Sequence, residues 1–123
     1  MLWGRVEVSP ELGNKTDDVL SVMFVTDREN ENTLEVKQIS TDGILGATVM
    51  NNVLIFIKNL PSPDNAYKVS VDGEGEMTYY VSGLSAGKWT AEVAGKAIEL
   101  NVSEEERFAR FTAPSGNVVL KRL

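Results

Sequence analysis

Apolar residues recur at every second position in short segments along nearly all of this 123-residue chain, and turn-forming residues separate one segment from the next. A period of two puts successive side chains on opposite faces of an extended strand, so the pattern opposes a helical bundle and predicts an all-β chain. Trp3 to Ser9 alternates around Val6 and Val8 and stops at Pro10. Asp18 to Thr26 is apolar on both faces, with Leu20, Val22 and Phe24 on one and Val19, Met23 and Val25 on the other. Such a segment is expected to be a central strand. After a polar loop at Asp27 to Asn32, Leu34 to Ser40 is the next strand, with Leu34 and Val36 facing inward.

Turn chemistry divides the rest of the chain. Asn51-Asn52 joins Leu45–Met50 to Val53–Lys58, because asparagine tolerates the positive φ that a tight hairpin turn needs. Pro61-Ser62-Pro63 breaks the chain before Tyr67–Asp72, and Gly73-Glu74-Gly75 turns it into Glu76–Ser82. Lys88–Val93 and Lys96–Val102 are joined at Ala94-Gly95, and Arg107–Ala113 and Asn117–Leu123 at Pro114-Ser115-Gly116. Ser103 can cap a single helical turn over Glu104 to Arg107, the one helical signal present. About ten short strands at regular spacing predict an antiparallel two-sheet β-sandwich, a single domain over residues 1–123.

The chain has neither cysteine nor histidine. Disulfides, thiolate catalysis, histidine-assisted nucleophiles and His- or Cys-bound zinc therefore cannot be built from its own residues. A formal net charge of −6 with scattered Lys and Arg opposes binding to nucleic acid or to an anionic membrane surface. The longest apolar run, Val53 to Ile57, is far shorter than the roughly 20 residues that cross a bilayer. Met1-Leu2-Trp3-Gly4-Arg5 leads into strand-like sequence without the features of a secretory signal. There is no Gly-x-Ser-x-Gly elbow, no phosphate-binding loop and no dinucleotide fingerprint, so neither a cofactor nor a catalytic residue is expected.

A few positions stand out as candidate sites. Trp89 follows Gly83-Leu84-x-x-Gly87, a pattern in which Leu84 plugs a sandwich and Trp89 braces the corner from the core. Trp3 either caps an open end of the sandwich or marks a seam with a neighbouring domain. Tyr79 and Tyr80 are adjacent on one strand, so one ring faces in and the other out. The outward ring is a cross-strand partner or a platform for a sugar. Asp72-Gly73-Glu74-Gly75-Glu76 is loosely like a calcium loop but lacks its twelve-residue spacing, and no metal site is assigned to it. Asn14-Lys15-Thr16 and Asn101-Val102-Ser103 match the N-glycosylation triplet, a pattern that arises readily by chance.

Trp3-Gly4-Arg5-Val6-Glu7-Val8-Ser9-Pro10 and the following Asp17 to Asp27 resemble the last part of heparinase II/III-like polysaccharide lyases. Val81 to Thr90, with its Gly-Leu-x-x-Gly-x-Trp corner, and the ending Ala109 to Gly116 resemble the closing β-sandwich of those enzymes. That family's catalytic tyrosine, histidine and asparagine or arginine groups lie in upstream regions with no counterpart in these segments. The resemblance therefore implies a non-catalytic accessory module, a catalytic domain of the same parent protein or a polysaccharide as partner, and a periplasmic or extracellular location. The competing expectation is a free-standing Ig-like or fibronectin-like interaction module. An exposed apolar patch around Trp3 and the first strand favours the first reading, and a fully polar surface with a protected edge the second.

Overall fold

A computed structural model describes residues 19–23, 35–41, 43–58 and 66–123. Among them the chain is all-β, as the period predicts, with seven strands: β1 (Val36–Thr41), β2 (Ile44–Val49), β3 (Asn52–Ile57), β4 (Ala66–Ser82), β5 (Gly87–Val93), β6 (Lys96–Val102) and β7 (Phe108–Arg122). Hydrogen bonds join them in the order β1-β2-β3-β4-β7-β5-β6. Neighbours pair antiparallel except β3 and β4, which run parallel through Asn52↔Thr78 to Phe56↔Ser82. The sheet is therefore mixed rather than purely antiparallel.

Among the described residues, four of the expected strands merge into two, because two expected turns are bends. Gly73-Glu74-Gly75 and Pro114-Ser115-Gly116 lie opposite each other, where the β4–β7 register jumps between Val71↔Gly116 and Glu76↔Pro114. The Ser115 hydroxyl donates to the Gly73 carbonyl at 2.7 Å and ties the two bends together. Residues that would reverse a lone strand here turn two paired strands around one corner. On one side of it β4 and β7 join β1, β2 and β3, and on the other they join β5 and β6.

The corner folds the sheet over. Three strand spacings separate β1 from β4 in the hydrogen-bonding order, which in a flat sheet amounts to roughly 14 Å. Their Cα atoms nevertheless come within 8 Å. Inward residues of both halves, such as Ile39, Val53, Ile55, Tyr79 and Val81 from one and Val69, Trp89, Ala91 and Leu120 from the other, form one apolar cluster. The two layers expected of a sandwich are thus the two halves of a single sheet.

The hairpin between β2 and β3 is where the asparagines place it, shifted by one residue. Val49 pairs with Asn52, so the turn is Met50-Asn51, and Met50, not an asparagine, takes the positive φ of 55°. The core sets this register. It places Ile44, Val53 and Ile55 inward, whereas a slip of one residue sends all of them to the other face. Ala94-Gly95 turns as expected, both residues at positive φ, between Val93 and Lys96.

Two expectations are corrected. Val36 points outward and is exposed, because Ile39 is the residue through which β1 reaches the core; Leu34 lies outside the described residues. Residues 19–23, the described part of the expected central strand Asp18 to Thr26, belong to no strand, and Val19, Val22 and Met23 are exposed. The expected first strand, Trp3 to Ser9, lies outside the described residues.

Candidate functional site

The Gly83–Trp89 corner is a structural brace. Leu84 and Trp89 are buried, and the Trp89 indole N–H donates to the Ser85 carbonyl at 2.8 Å. Arg107 Nε donates to the Leu84 carbonyl at 3.1 Å, and Arg122 Nη2 to the Ala86 carbonyl, also at 3.1 Å. Three successive carbonyls that the corner withholds from the sheet are thereby satisfied by side chains. Ser103 accepts a hydrogen bond from the Glu106 N–H at 3.1 Å, and the Arg107 N–H reaches the Ser103 carbonyl at 3.0 Å. That single turn aims Arg107 back at the corner.

The two tyrosines divide as their adjacency requires. Tyr79 is fully buried, stacks on Phe111 with ring centroids 4.8 Å apart, and donates its hydroxyl to the Pro114 carbonyl at 2.7 Å. Burial raises its phenol above the ordinary tyrosine range. Burial raises Tyr67 as well, partly offset by the positive charge of Arg107. Both folded phenols hold their proton more tightly than the unfolded chain does. Their contribution to stability is therefore complete below about pH 10 and is lost as the pH rises beyond it. The expected result is a stability that declines above about pH 10, with a shallower decline in Tyr79→Phe. The lost hydrogen bond costs that variant about 1 kcal/mol at neutral pH. Urea unfolding at a series of pH values checks this, and an equally steep alkaline decline in both proteins counts against it.

Tyr80 points outward, and its register leads to the surface feature that sequence reading missed. On the outer side of β1-β2-β3-β4-β7 the ladder aligns Val36, Val49, Asn52, Thr78 and Thr112 in one row. Gln38, Ala47, Leu54, Tyr80 and Arg110 form the second, and Ser40, Leu45, Phe56, Ser82 and Phe108 the third. Arg110 alone of these fifteen positions carries a charge. The opposite outer face differs: its rows Lys68, Val119, Glu92, Ala97 and Ala66, Lys121, Thr90, Glu99 hold four charges in eight positions. One side of the molecule is built for water, the other much less so.

Aromatic side chains populate the uncharged face. Phe56 is 40% exposed and Phe108 38%. Tyr80 lies 6.4 Å from Phe108, and the Arg110 guanidinium carbon sits 5.7 Å from the Tyr80 ring centre. Toward β1 the face continues into a cleft of about 500 Å³, lined by Leu45 and Ala47 of β2, Val36 and Gln38 of β1, and Val19 and Val22. A signal for the band was present in the sequence. Val53 to Ile57 is apolar at consecutive positions, which gives β3 an apolar outer face as well as an inner one. Of the expected contact residues, Tyr80 lies in this band, Tyr79 lies beneath it in the core, and Trp3 is outside the described residues.

The profile of a protein family described as the heparinase II C-terminal domain matches residues 38–122, from within β1 to the end of β7. The chain belongs to this family. No curated protein matches it. The match spans both layers of the heparinase II C-terminal domain fold, the braced corner and every position of the uncharged face except Val36. Residues 19–23 lie outside it.

Proposed function

We propose that this chain is a non-catalytic accessory module of a polysaccharide lyase, folding as one domain and packing against the catalytic part of that protein through the uncharged outer face of β1-β2-β3-β4-β7. The observation that carries the reading is the asymmetry of the two outer faces, one mixing aliphatic and aromatic side chains with neutral polar ones and a single arginine, the other studded with charges. An exposed apolar patch of this kind marks a surface that is covered in the working protein. Membership of a family defined as a C-terminal domain supplies the candidate to cover it, the rest of a heparinase-like polypeptide. A sugar platform at Tyr80 is the weaker reading, because Arg110 already occupies the ring's neighbourhood. A free-standing Ig-like module has no use for so large an uncharged face.

The test separates the two faces. The module is produced apart from the remainder of the parent lyase, and their association is measured by calorimetry. Phe56→Asp and Phe108→Asp are expected to weaken it about 100-fold, in the range of interface hot spots. Lys68→Asp and Lys121→Asp, on the charged face, are expected to leave it unchanged. The reverse pattern sinks the proposal, and so does tight binding of an acidic glycan by the isolated module that Tyr80→Ala abolishes.

A further inference from the structure

Among the described residues the sheet ends at β1 and at β6, and the sequence treats the two edges differently. Each is paired on one side only, so its other side carries a row of backbone N–H and C=O groups open to a further strand. β1 places Lys37 on the same side as the inward Ile39, 3.6 Å from Glu35. A charge at an inward position blocks an edge against further pairing. β6 carries no such block at its centre. Its inward positions Ile98, Leu100 and Val102 are all apolar, and its seven residues hold neither a proline nor a register shift.

The hairpin decides which backbone groups face outward. Its two-residue turn, Ala94-Gly95, makes Val93↔Lys96 a hydrogen-bonded pair, and such pairs alternate along an antiparallel ladder. Ile98, Leu100 and Val102 therefore direct their backbone groups at β5, whereas Ala97, Glu99 and Asn101 direct theirs at the open side. We propose that β6 pairs antiparallel with β6 of a second copy of this chain, about a two-fold axis at Leu100. In that register Leu100 meets Leu100, Ile98 meets Val102, and Glu99 meets Asn101 twice over. The outward groups of Glu99 and Asn101 bond each other, and the apolar inner layers of the two copies become continuous. Charge selects this register. An axis at Glu99 sets Glu99 against itself, a like-charge pair, and an axis at Asn101 sets Ile98 against Glu104. Antiparallel pairing also brings the Lys96 end of each strand toward the other copy's acidic turn at Glu104, Glu105 and Glu106, whereas parallel pairing would set the two acidic turns side by side. The edge is separate from the uncharged face, none of whose rows includes β6.

Sedimentation equilibrium of the full 123-residue chain over a concentration series tests this. A monomer–dimer equilibrium is expected. Asn101→Glu creates two like-charge pairs with Glu99 and is expected to weaken the dimer about fivefold, whereas Asn101→Lys creates two opposite-charge pairs and is expected to strengthen it about fivefold. Asn101 is exposed, so both variants are expected to melt like the parent when dilute. A monomer at every concentration overturns the inference. Equal weakening by Asn101→Glu and Asn101→Lys overturns it too, because any charge at an edge opposes unspecific pairing. So does a dimer that Phe56→Asp dissolves and Asn101→Glu leaves intact, since that dimer forms through the uncharged face.

Discussion

Trp89→Ala is expected to lower the stability of this module by about 3–5 kcal/mol, the range for truncating a buried aromatic to alanine. Trp89 is the largest fully buried side chain among the described residues and is only 1% exposed. Its ring lies 6.0 Å from that of Tyr67 at an interplanar angle of 23°, so the truncation opens a void between β5 and β4 across the intervening β7. Cores collapse only partly around such voids, and the lining loses its dispersion contacts outright. The substitution also frees the Ser85 carbonyl from the indole N–H at the corner. Trp89→Phe separates the two effects, since it keeps most of the apolar area but not the hydrogen bond, and should cost about 1–2 kcal/mol. Urea unfolding followed by circular dichroism is the measurement, because fluorescence would lose its core reporter. With total stabilities of about 5–15 kcal/mol usual for a domain, Trp89→Ala removes about a fifth or more of what holds the fold. A loss below about 1 kcal/mol means that Trp89 is not the brace described.

The brace was legible in the sequence for a physical reason. A glycine-leucine-x-x-glycine-x-tryptophan run solves its problem locally: the glycines permit the corner, Leu84 fills beneath it, and Trp89 bonds a carbonyl four residues back. The Ala94-Gly95 hairpin is local in the same way, with both turn residues at positive φ. Long-range pairing is not local. Gly73-Glu74-Gly75 and Pro114-Ser115-Gly116 read as two hairpin turns because turns and bends require the same residues. Only the pairing of Val71 with Gly116 and of Glu76 with Pro114 shows that they share a corner. The parallel β3–β4 pair was hidden for a related reason. Residues 66–71 pair with β7 in the other half of the sheet and residues 76–82 continue along the same strand to lie beside β3, so the described part of the crossover is strand. Parallel pairs usually announce themselves by a helix in the connection, and none occurs among its described residues.

The outer face was invisible for a different reason. Leu45, Leu54, Phe56, Tyr80 and Phe108 come from four strands, and each taken alone is an ordinary half-exposed apolar residue. They become a surface only when the register aligns them. Asp18 to Thr26 reads as a central strand on its period alone, yet its described residues 19–23 belong to no strand. Periodicity reports that a segment is covered on both faces, but it cannot say which molecule or domain does the covering.

Gly83→Ala is expected to be the second large loss, about 2–5 kcal/mol, the sum of backbone strain and overpacking. Gly83 has a φ of +91°, outside what a residue with a Cβ adopts readily, so alanine is strained there whatever the space around it. The space is also missing. A Cβ on Gly83 would sit 2.6 Å from the Ile57 carbonyl oxygen at the end of β3, a backbone atom that cannot rotate away. Relieving the contact means moving either β3 or the corner, and the corner is held. The Gly83 N–H donates to the Arg107 carbonyl at 2.9 Å, and the Arg107 side chain bonds the next residue's carbonyl at 3.1 Å. Gly95→Ala is the control, because Gly95 also has positive φ at +79° but nothing lies within 4 Å of its Cβ position. Strain alone acts at Gly95, strain and overlap together at Gly83, so thermal unfolding should place Gly83→Ala well below Gly95→Ala. Equal melting temperatures would mean that β3 yields freely to the corner. The two layers would then be coupled through the core alone, without the backbone contact between β3 and the corner.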